Sequence, residues 1–353
     1  MDAALDALLA APGEPAVLVT VAAVKGSAPR EAGAKMAVRR DSIAGTIGGG
    51  HLEHTAIEIA RAQLAAGDAA TVRRFPLGAA LGQCCGGSVQ LLFEPVPARA
   101  AWVQAVAQAQ REDRACVVVT AARASGAAGK LVVRNDGYCG SLGDAALDRA
   151  ASELAATLYL RPPAAARPTQ LLELADTLCL FDPIAPIDWH VVLFGAGHVG
   201  QALVRALAAL PMRITWVDTR EAIFPPQVPP NVAVVATDTP EAEVHAAPAG
   251  AYFVVMTHSH ALDQTLAEHV LRRDDFAYFG LIGSATKRRS FERRLAARGI
   301  DTARMTCPIG VAGIADKRPA AIAIAVAAQL LQRREARACH CEPQGTNLKQ
   351  RTA

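Results

Sequence analysis

Apolar positions along this chain fall into two alternating kinds of stretch, β-branched runs and Ala/Leu-rich runs of helical period. An Ala/Leu helix opens the chain, and "AVLVTVAAV" (Ala16–Val24) follows as a run long enough for a buried strand. After the turn-rich "KGSAPREAG" (Lys25–Gly33), "AKMAVRR" alternates as a short strand should. The stretch Ala44–Gly67 then reads as a glycine-rich turn feeding an amphipathic helix. Strand-like "ATVRRFPL" and "SVQLLFEPV" follow, then a helix over Ala98–Gln110 and the strand "ACVVVTAAR". A hairpin-like "KLVVRNDGYCGSL" and a helix over Asp144–Leu160 complete this half.

The prolines of "RPPAAARP" (Arg161–Pro168) stop that helix and mark a linker. A strand pair, "QLLEL" and "LCLFDP", precedes a domain boundary placed near Pro186. From His190 onward, strands and helices alternate regularly, which is the pattern of a doubly wound parallel sheet. The expected class is α/β: an α/β domain over 1–160, a linker with a strand pair over 161–186, and a Rossmann-like domain over 187–335. The tail 336–353 has no apolar periodicity and is expected to be disordered. No internal repeat is legible.

Composition narrows the function classes. Net charge is only +3 and long basic runs are absent, so nucleic acid is not an expected partner. No apolar stretch reaches the roughly 18 unbroken residues of a membrane span. Asp2 and Asp6 stand where a secretory signal would carry positive charge. Eight cysteines scattered over 353 residues fit a reduced compartment, so the expected location is cytoplasmic.

Two stretches carry candidate chemistry. "HVVLFGAGHVGQALVRAL" places Gly195, Gly197 and Gly200 in the G-x-G-x-x-G pattern between a strand and a helix. There Gly195 permits a tight turn, Gly197 lets a pyrophosphate approach the backbone, and Gly200 lets helix and strand pack closely. Asp218 closes the next strand and is placed to accept from a ribose diol, which points to a nucleotide such as NAD. The alternative is a Rossmann-like fold that uses its glycines for packing alone. In "MTHSHALD", His258, His260 and Asp263 fall at a strand end, where they face a ligand or merely cap the next helix. Lys287, Arg288 and Arg289 near a helix start oppose its dipole, so they either meet an anion or form a solvated basic face. The second stretch is "LGQCCGG", in which Cys84 and Cys85 are adjacent and flanked by glycines. Neighbouring Cα atoms only about 3.8 Å apart do not favour a disulfide between them. The pair is a cysteine-bearing turn or a thiol site for a ligand, metal or sulfur donor.

The stretches "VAAVKGSAPREAGAKMAV", "GTIGGGHLE", "LGQCCGGSVQLLFE", "LFGAGHVGQALVRAL", "WVDTR", "THSHALD", "FGLIGSATKRRSF" and "PIGVAGIADKRPAAIAIAVAAQLL", in that order, resemble the XdhC/CoxI family, its XdhC branch above all. The resemblance runs from about Val17 to Leu331. It implies an N-terminal XdhC/CoxI domain, a C-terminal Rossmann domain, and a part in maturing a molybdenum enzyme. By that resemblance the chain binds the molybdenum cofactor (molybdopterin), holds it while a cysteine desulfurase replaces an oxo ligand by sulfur, and delivers it to xanthine dehydrogenase. A homodimer is the family's analogy. Within that frame, Gly48, Gly49, Gly50 and Glu53 form a backbone nest at a helix start for the cofactor phosphate, or only a tight turn. The Cys84–Cys85 loop then supplies a soft thiolate beside molybdenum or its sulfur.

Three functions therefore compete: a cofactor chaperone without turnover of its own, a NAD-dependent oxidoreductase built on Gly195–Gly200 and Asp218, and a sulfurtransferase carrying a persulfide on Cys84 or Cys85.

Overall fold

Strands form where the β-branched runs lie, and most helices open at a glycine or a polar residue such as Asp2, Asp144, Ser259 or Ser284. The computed structural model describes residues 2–67, 69–77, 86–122, 129–160 and 168–341. Two units divide after Pro186.

In the first unit, α1 (Ala3–Ala10) starts at Asp2, whose carboxylate accepts from the Ala4 N–H. Then come β1 (Ala16–Lys25), β2 (Lys35–Val38), β3 (Ile43–Gly45), α2 (Gly50–Ala66), β4 (Thr71–Pro76) and β5 (Ser88–Val96). These strands make an antiparallel sheet in the order β3-β2-β1-β5-β4. A second series follows: α3 (Ala101–Arg111), β6 (Cys116–Ala122), β7 (Gly129–Arg134), β8 (Gly137–Ser141), α4 (Ala145–Ala155), β9 (Gln170–Leu174) and β10 (Thr177–Ile184). Its sheet, also antiparallel, has the order β8-β7-β6-β10-β9. Leu52, Ala56 and Ala60 of α2 pack on the first sheet, and Leu147, Ala151 and Ala155 of α4 on the second.

Several expectations need correction here. The strand pair expected within a linker is part of the second sheet, because β10 pairs with β6 from Leu178 opposite Ala122 to Ile184 opposite Cys116. The helix expected from Ala98 starts only at Ala101, after Pro97 and a positive φ at Arg99. The helix expected to reach Leu160 is α-helical to Ala155 and ends in a π-helical turn, Ala156–Leu160.

In the second unit, β11 (His190–Phe194), α5 (His198–Leu207), β12 (Arg213–Asp218), β13 (Val232–Ala236), α6 (Glu241–Ala246) and β14 (Tyr252–Val255) come first. They are followed by α7 (His260–Leu271), β15 (Tyr278–Leu281), α8 (Ala285–Ala296), β16 (Met305–Thr306) and α9 (Pro319–Cys341). The sheet is parallel throughout, in the order β13-β12-β11-β14-β15-β16. Its central strands are short continuous apolar runs because helices cover both faces. The strand order reverses direction across the sheet between β11 and β14, so the crevice outside their carboxyl ends is where a ligand of this fold sits. α9 continues past residue 335 into the tail expected to be disordered. Good helix formers such as Glu335, Ala336 and Arg337 carry it on, and proline first recurs at Pro343. Residues 342–353 lie outside the described residues.

Candidate functional site

At the sheet crevice, the three fingerprint glycines do different work. Gly195 has φ +112°, and a Cβ there would stand 2.3 Å from the Met256 carbonyl oxygen. A Cβ on Gly200 would stand 2.1 Å from the Gly195 carbonyl oxygen. Both positions are therefore fixed by packing. Gly197 has an ordinary φ of −69°, and a Cβ there would meet nothing within 4 Å. It faces open space at the N-terminus of α5, which has no side-chain cap. The first-turn N–H groups of α5 are thus left for an anion. The turn itself is rigid: the Trp216 indole donates to the Gly195 carbonyl over 3.1 Å, and the Gly195 N–H donates to the Val217 carbonyl.

Asp218 reaches this turn, yet its oxygens are already engaged. One accepts the Ala196 N–H over 2.7 Å and an Arg220 guanidinium N–H over 3.0 Å; the other accepts the Arg220 N–H and Nε. Burial by itself would raise the carboxyl's pKa, but the hydrogen bonds from Arg220 and Ala196 outweigh it and hold the group below its ordinary value. A ribose diol would have to displace Arg220, whose side chain is half-exposed.

His258 is exposed and lines a hollow with Gly195, Asp218 and Thr257. His260 is exposed as the first residue of α7 and does not line that hollow. Ser259 caps the helix, its hydroxyl accepting from the Leu262 N–H. Among the described residues, no cluster of three or more His, Cys, Asp or Glu side chains is placed to hold a metal.

Sequence reasoning missed the polar centre behind the histidines. Asp263 and Lys287 form a buried ion pair, 1% and 10% exposed. Asp263 also accepts the Thr257 hydroxyl over 2.7 Å, and Lys287 donates to the Ile282 carbonyl over 2.9 Å. The pair ties α7 to α8 and, through Thr257 and Ile282, holds the loops after β14 and β15. Lys287 is thus matched to a carboxylate, and Arg288 to Glu292 and the Cys307 carbonyl. Arg289 is exposed. One signal was available: Asp263 lies at helical spacing from Leu266, Ala267 and Val270, all on the buried face of α7, and an acid there needs a partner.

In the first unit, the turn before α2 is filled by its own acid. A Glu53 carboxylate oxygen accepts from the Thr46 hydroxyl, from the Ile47 N–H over 2.9 Å and from the Gly49 N–H over 3.1 Å. Burial opposes ionisation of Glu53, but these bonds prevail and its pKa lies below the ordinary value. Gly48 has φ +122° and no room, since a Cβ would stand 2.4 Å from the Pro29 Cβ. Gly49 and Gly50 also have positive φ, and a Cβ on Gly49 would meet nothing. α2 has no side-chain cap at Gly49, and the N–H groups at 50–52 have no hydrogen-bond partner among the described residues.

Cys84 and Cys85 lie outside the described residues. The base of their loop is described: the Leu77 N–H donates to the Gly87 carbonyl, and a Cβ on Gly87 would stand 2.4 Å from the Ser27 carbonyl oxygen. The loop over 25–33 therefore packs on the base of the cysteine loop through Ser27 and on the glycine turn through Pro29. The two candidate stretches of this unit share one support.

With that geometry in place, the comparisons with known proteins are specific. The profile of the XdhC Rossmann domain matches residues 191–330, and that of the XdhC and CoxI family matches residues 9–76. A protein of Bacillus subtilis (strain 168), described as a probable subunit of xanthine dehydrogenase, is 27% identical over 347 residues, 94% of this chain and 96% of that protein. "Uncharacterized protein YqeB" of Escherichia coli (strain K12) is 30% identical over 147 residues, 40% of this chain. That match spans only 27% of YqeB's own length. A crystal structure described as a xanthine dehydrogenase from Bacillus halodurans superposes with a TM-score of 0.73 at 21% identity, covering 96% of this chain and 97% of that one. The chain belongs to the XdhC/CoxI family, with an XdhC Rossmann domain as its second unit.

Proposed function

We propose that this chain is an accessory factor of xanthine dehydrogenase that binds the molybdenum cofactor, holds it while a cysteine desulfurase partner exchanges oxo for sulfur, and hands it to the enzyme. The observation that carries the reading is end-to-end similarity to the Bacillus subtilis protein named for xanthine dehydrogenase, with the glycine turn of this chain left open at Gly197. The residues present fit an anionic cofactor at Gly197, where a side chain is absent, the space is open and the first turn of α5 offers N–H groups. They fit it less fully at Gly48–Gly50, since Glu53 already takes the Ile47 and Gly49 donors; only the free N–H groups at the start of α2 remain for a phosphate. When bound, the cofactor supplies the molybdenum and its dithiolene sulfurs. Cys84 or Cys85 offers a soft thiolate matched to such a centre. Asp218 acts as a positioning residue that clamps the glycine turn through Ala196.

The second reading, a NAD-dependent oxidoreductase, is favoured by the same turn. It is weakened at Asp218, which is committed to Arg220, and at His258 and His260, which have no carboxylate partner among the described residues to set a proton relay. Reconstitution separates the readings. Adding this protein and a cysteine desulfurase to xanthine dehydrogenase that lacks sulfurated cofactor should restore activity, and Cys84→Ser or Cys85→Ser should fold normally yet fail to restore it. Normal activation by the double serine variant would rule the thiols out of the transfer. Substrate-dependent NADH formation by the chain alone would replace the chaperone role with the second reading.

A further inference from the structure

The two sheets of the first unit are built alike down to single side chains. Each follows a helix, runs through three strands, a helix and two strands, and has the same spatial order. Gly45-Thr46-Ile47-Gly48 before α2 corresponds to Gly140-Ser141-Leu142-Gly143 before α4, and Leu52-Glu53 corresponds to Leu147-Asp148. The hydrogen bonds correspond as well. Thr46 donates to Glu53 as Ser141 donates to Asp148; the Ile47 N–H meets Glu53 as the Leu142 N–H meets Asp148; the Gly48 N–H meets Thr46 as the Gly143 N–H meets Ser141. Gly45 and Gly140 both have positive φ, and a Cβ on either would strike the carbonyl of the equivalent lysine, Lys35 at 2.5 Å or Lys130 at 2.2 Å.

Those lysines are the centre of the interface. Lys35 lies opposite Thr20 on the first sheet, as Lys130 lies opposite Thr120 on the second. Glu94 lies opposite Leu18, as Asp182 lies opposite Val118. The ion pairs cross between the sheets: Lys35 pairs with Asp182 at 2.9 Å, and Lys130 pairs with Glu94. All four side chains are less than a tenth exposed. Each series thus gives its lysine to the other's acid, and Leu5 and Leu8 of α1 join Val103 and Val106 of α3 in one core beside them. A contact in which i meets j and j meets i is the mark of an isologous two-fold interface.

We infer that residues 3–96 and 101–184 are two copies of one unit joined in tandem, and that each is the binding partner of the other through an isologous interface locked by the reciprocal pairs Lys35–Asp182 and Lys130–Glu94. The segment is a homodimer fused into one chain. The copies have diverged at the helix starts. Asp144 accepts from the Ala146 and Leu147 N–H groups and closes the second turn, where the first has Gly49. The assignment makes both ion pairs part of one interface, so removal of either lysine should loosen it.

The test uses the full chain with a specific protease site inserted after Pro97, in the exposed connection between the copies. After cleavage under native conditions, the two fragments should stay together on size exclusion. Lys35→Met and Lys130→Met each strand a buried carboxylate, so each should weaken reassociation of the cleaved fragments by at least about a hundredfold. Lys35→Met with Asp182→Leu, which removes both charges, should recover most of that loss and serves where a single variant does not fold. Fragments that separate on cleavage, a lysine variant that reassociates like the parent, or a paired replacement no better than the single one would overturn the assignment.

Discussion

Replacing Gly200 with alanine and Gly197 with serine should have opposite consequences, although both belong to one motif. A Cβ at Gly200 would stand 2.1 Å from the Gly195 oxygen and 3.1 Å from the Gly195 carbonyl carbon. Both are main-chain atoms of a turn held by Trp216 and Val217, so no flexible side chain can yield. Overpacking of this kind costs about 1–3 kcal/mol, and main-chain obstruction puts it at or above the upper end. Alanine in place of glycine in the first turn of α5 returns at most about 1 kcal/mol. The balance is a loss of about 2 kcal/mol, which lowers the Tm of a domain this size by about 4–8 °C. Gly197 differs in every respect: φ is −69°, the Cβ position is open, and serine is a good residue at a helix start. Gly197→Ser should melt within about 2 °C of the parent, yet its side chain occupies the space of an incoming anion and its hydroxyl competes for the α5 N–H groups. Circular dichroism melts and calorimetric titration with dinucleotides and with molybdopterin would measure both effects. A Gly200→Ala protein as stable as the parent, or a Gly197→Ser protein destabilised equally, would refute the division of labour.

Other outcomes follow from the same geometry. Asp263→Asn strands the Lys287 ammonium and should cost about 3 kcal/mol in chemical denaturation, with Asp263→Leu/Lys287→Met recovering much of it; equal stability of Asp263→Asn and parent would show the pair to be dispensable. Because the folded pKa of Glu53 is depressed below 4.5, its contribution is present above that pH and disappears as pH falls through the lower folded value. The stability gap between parent and Glu53→Gln should therefore be constant from about pH 5 to about pH 8 and close on acidification; a gap independent of pH would show that the charge contributes nothing. Burial pushes the Cys116 thiol up to about 12, while Cys139 is exposed, so native alkylation near neutral pH should label Cys139 and spare Cys116, as peptide mass mapping would show.

The Rossmann unit was legible because its signals are local. Short apolar strands, a glycine fingerprint and helices of regular period need no knowledge of distant residues. The polar centres were not, because each joins residues far apart in sequence: Lys287 meets Asp263, and Lys35 meets Asp182. A basic run at a helix start looks the same whether it awaits an anion or is already matched. Likewise Glu53 reads as part of an open nest until its carboxylate is seen filling the turn. The likeness of the two sheets is hidden in the sequence for another reason. A strand face can be filled by many apolar sequences, so only the turns kept a visible likeness, and Gly49-Gly50-His51 against Asp144-Ala145-Ala146 obscures even that. The strand pair after "RPPAAARP" reads as part of a linker because prolines show where a helix ends and not which sheet receives the next strands.

Whether this chain carries the molybdenum cofactor is tested most directly by weighing what comes out of the cell with it. The full chain is isolated from a host grown with molybdate, the bound material is oxidised, and pterin is quantified by fluorescence, with Gly197→Ser and Cys84→Ser/Cys85→Ser proteins prepared alongside. Pterin should approach one equivalent per chain for the parent and fall clearly in both variants. A parent protein that emerges free of pterin from cofactor-replete cells would contradict the cofactor-carrying role, and variants that retain it in full would contradict its placement at Gly197 and the two thiols.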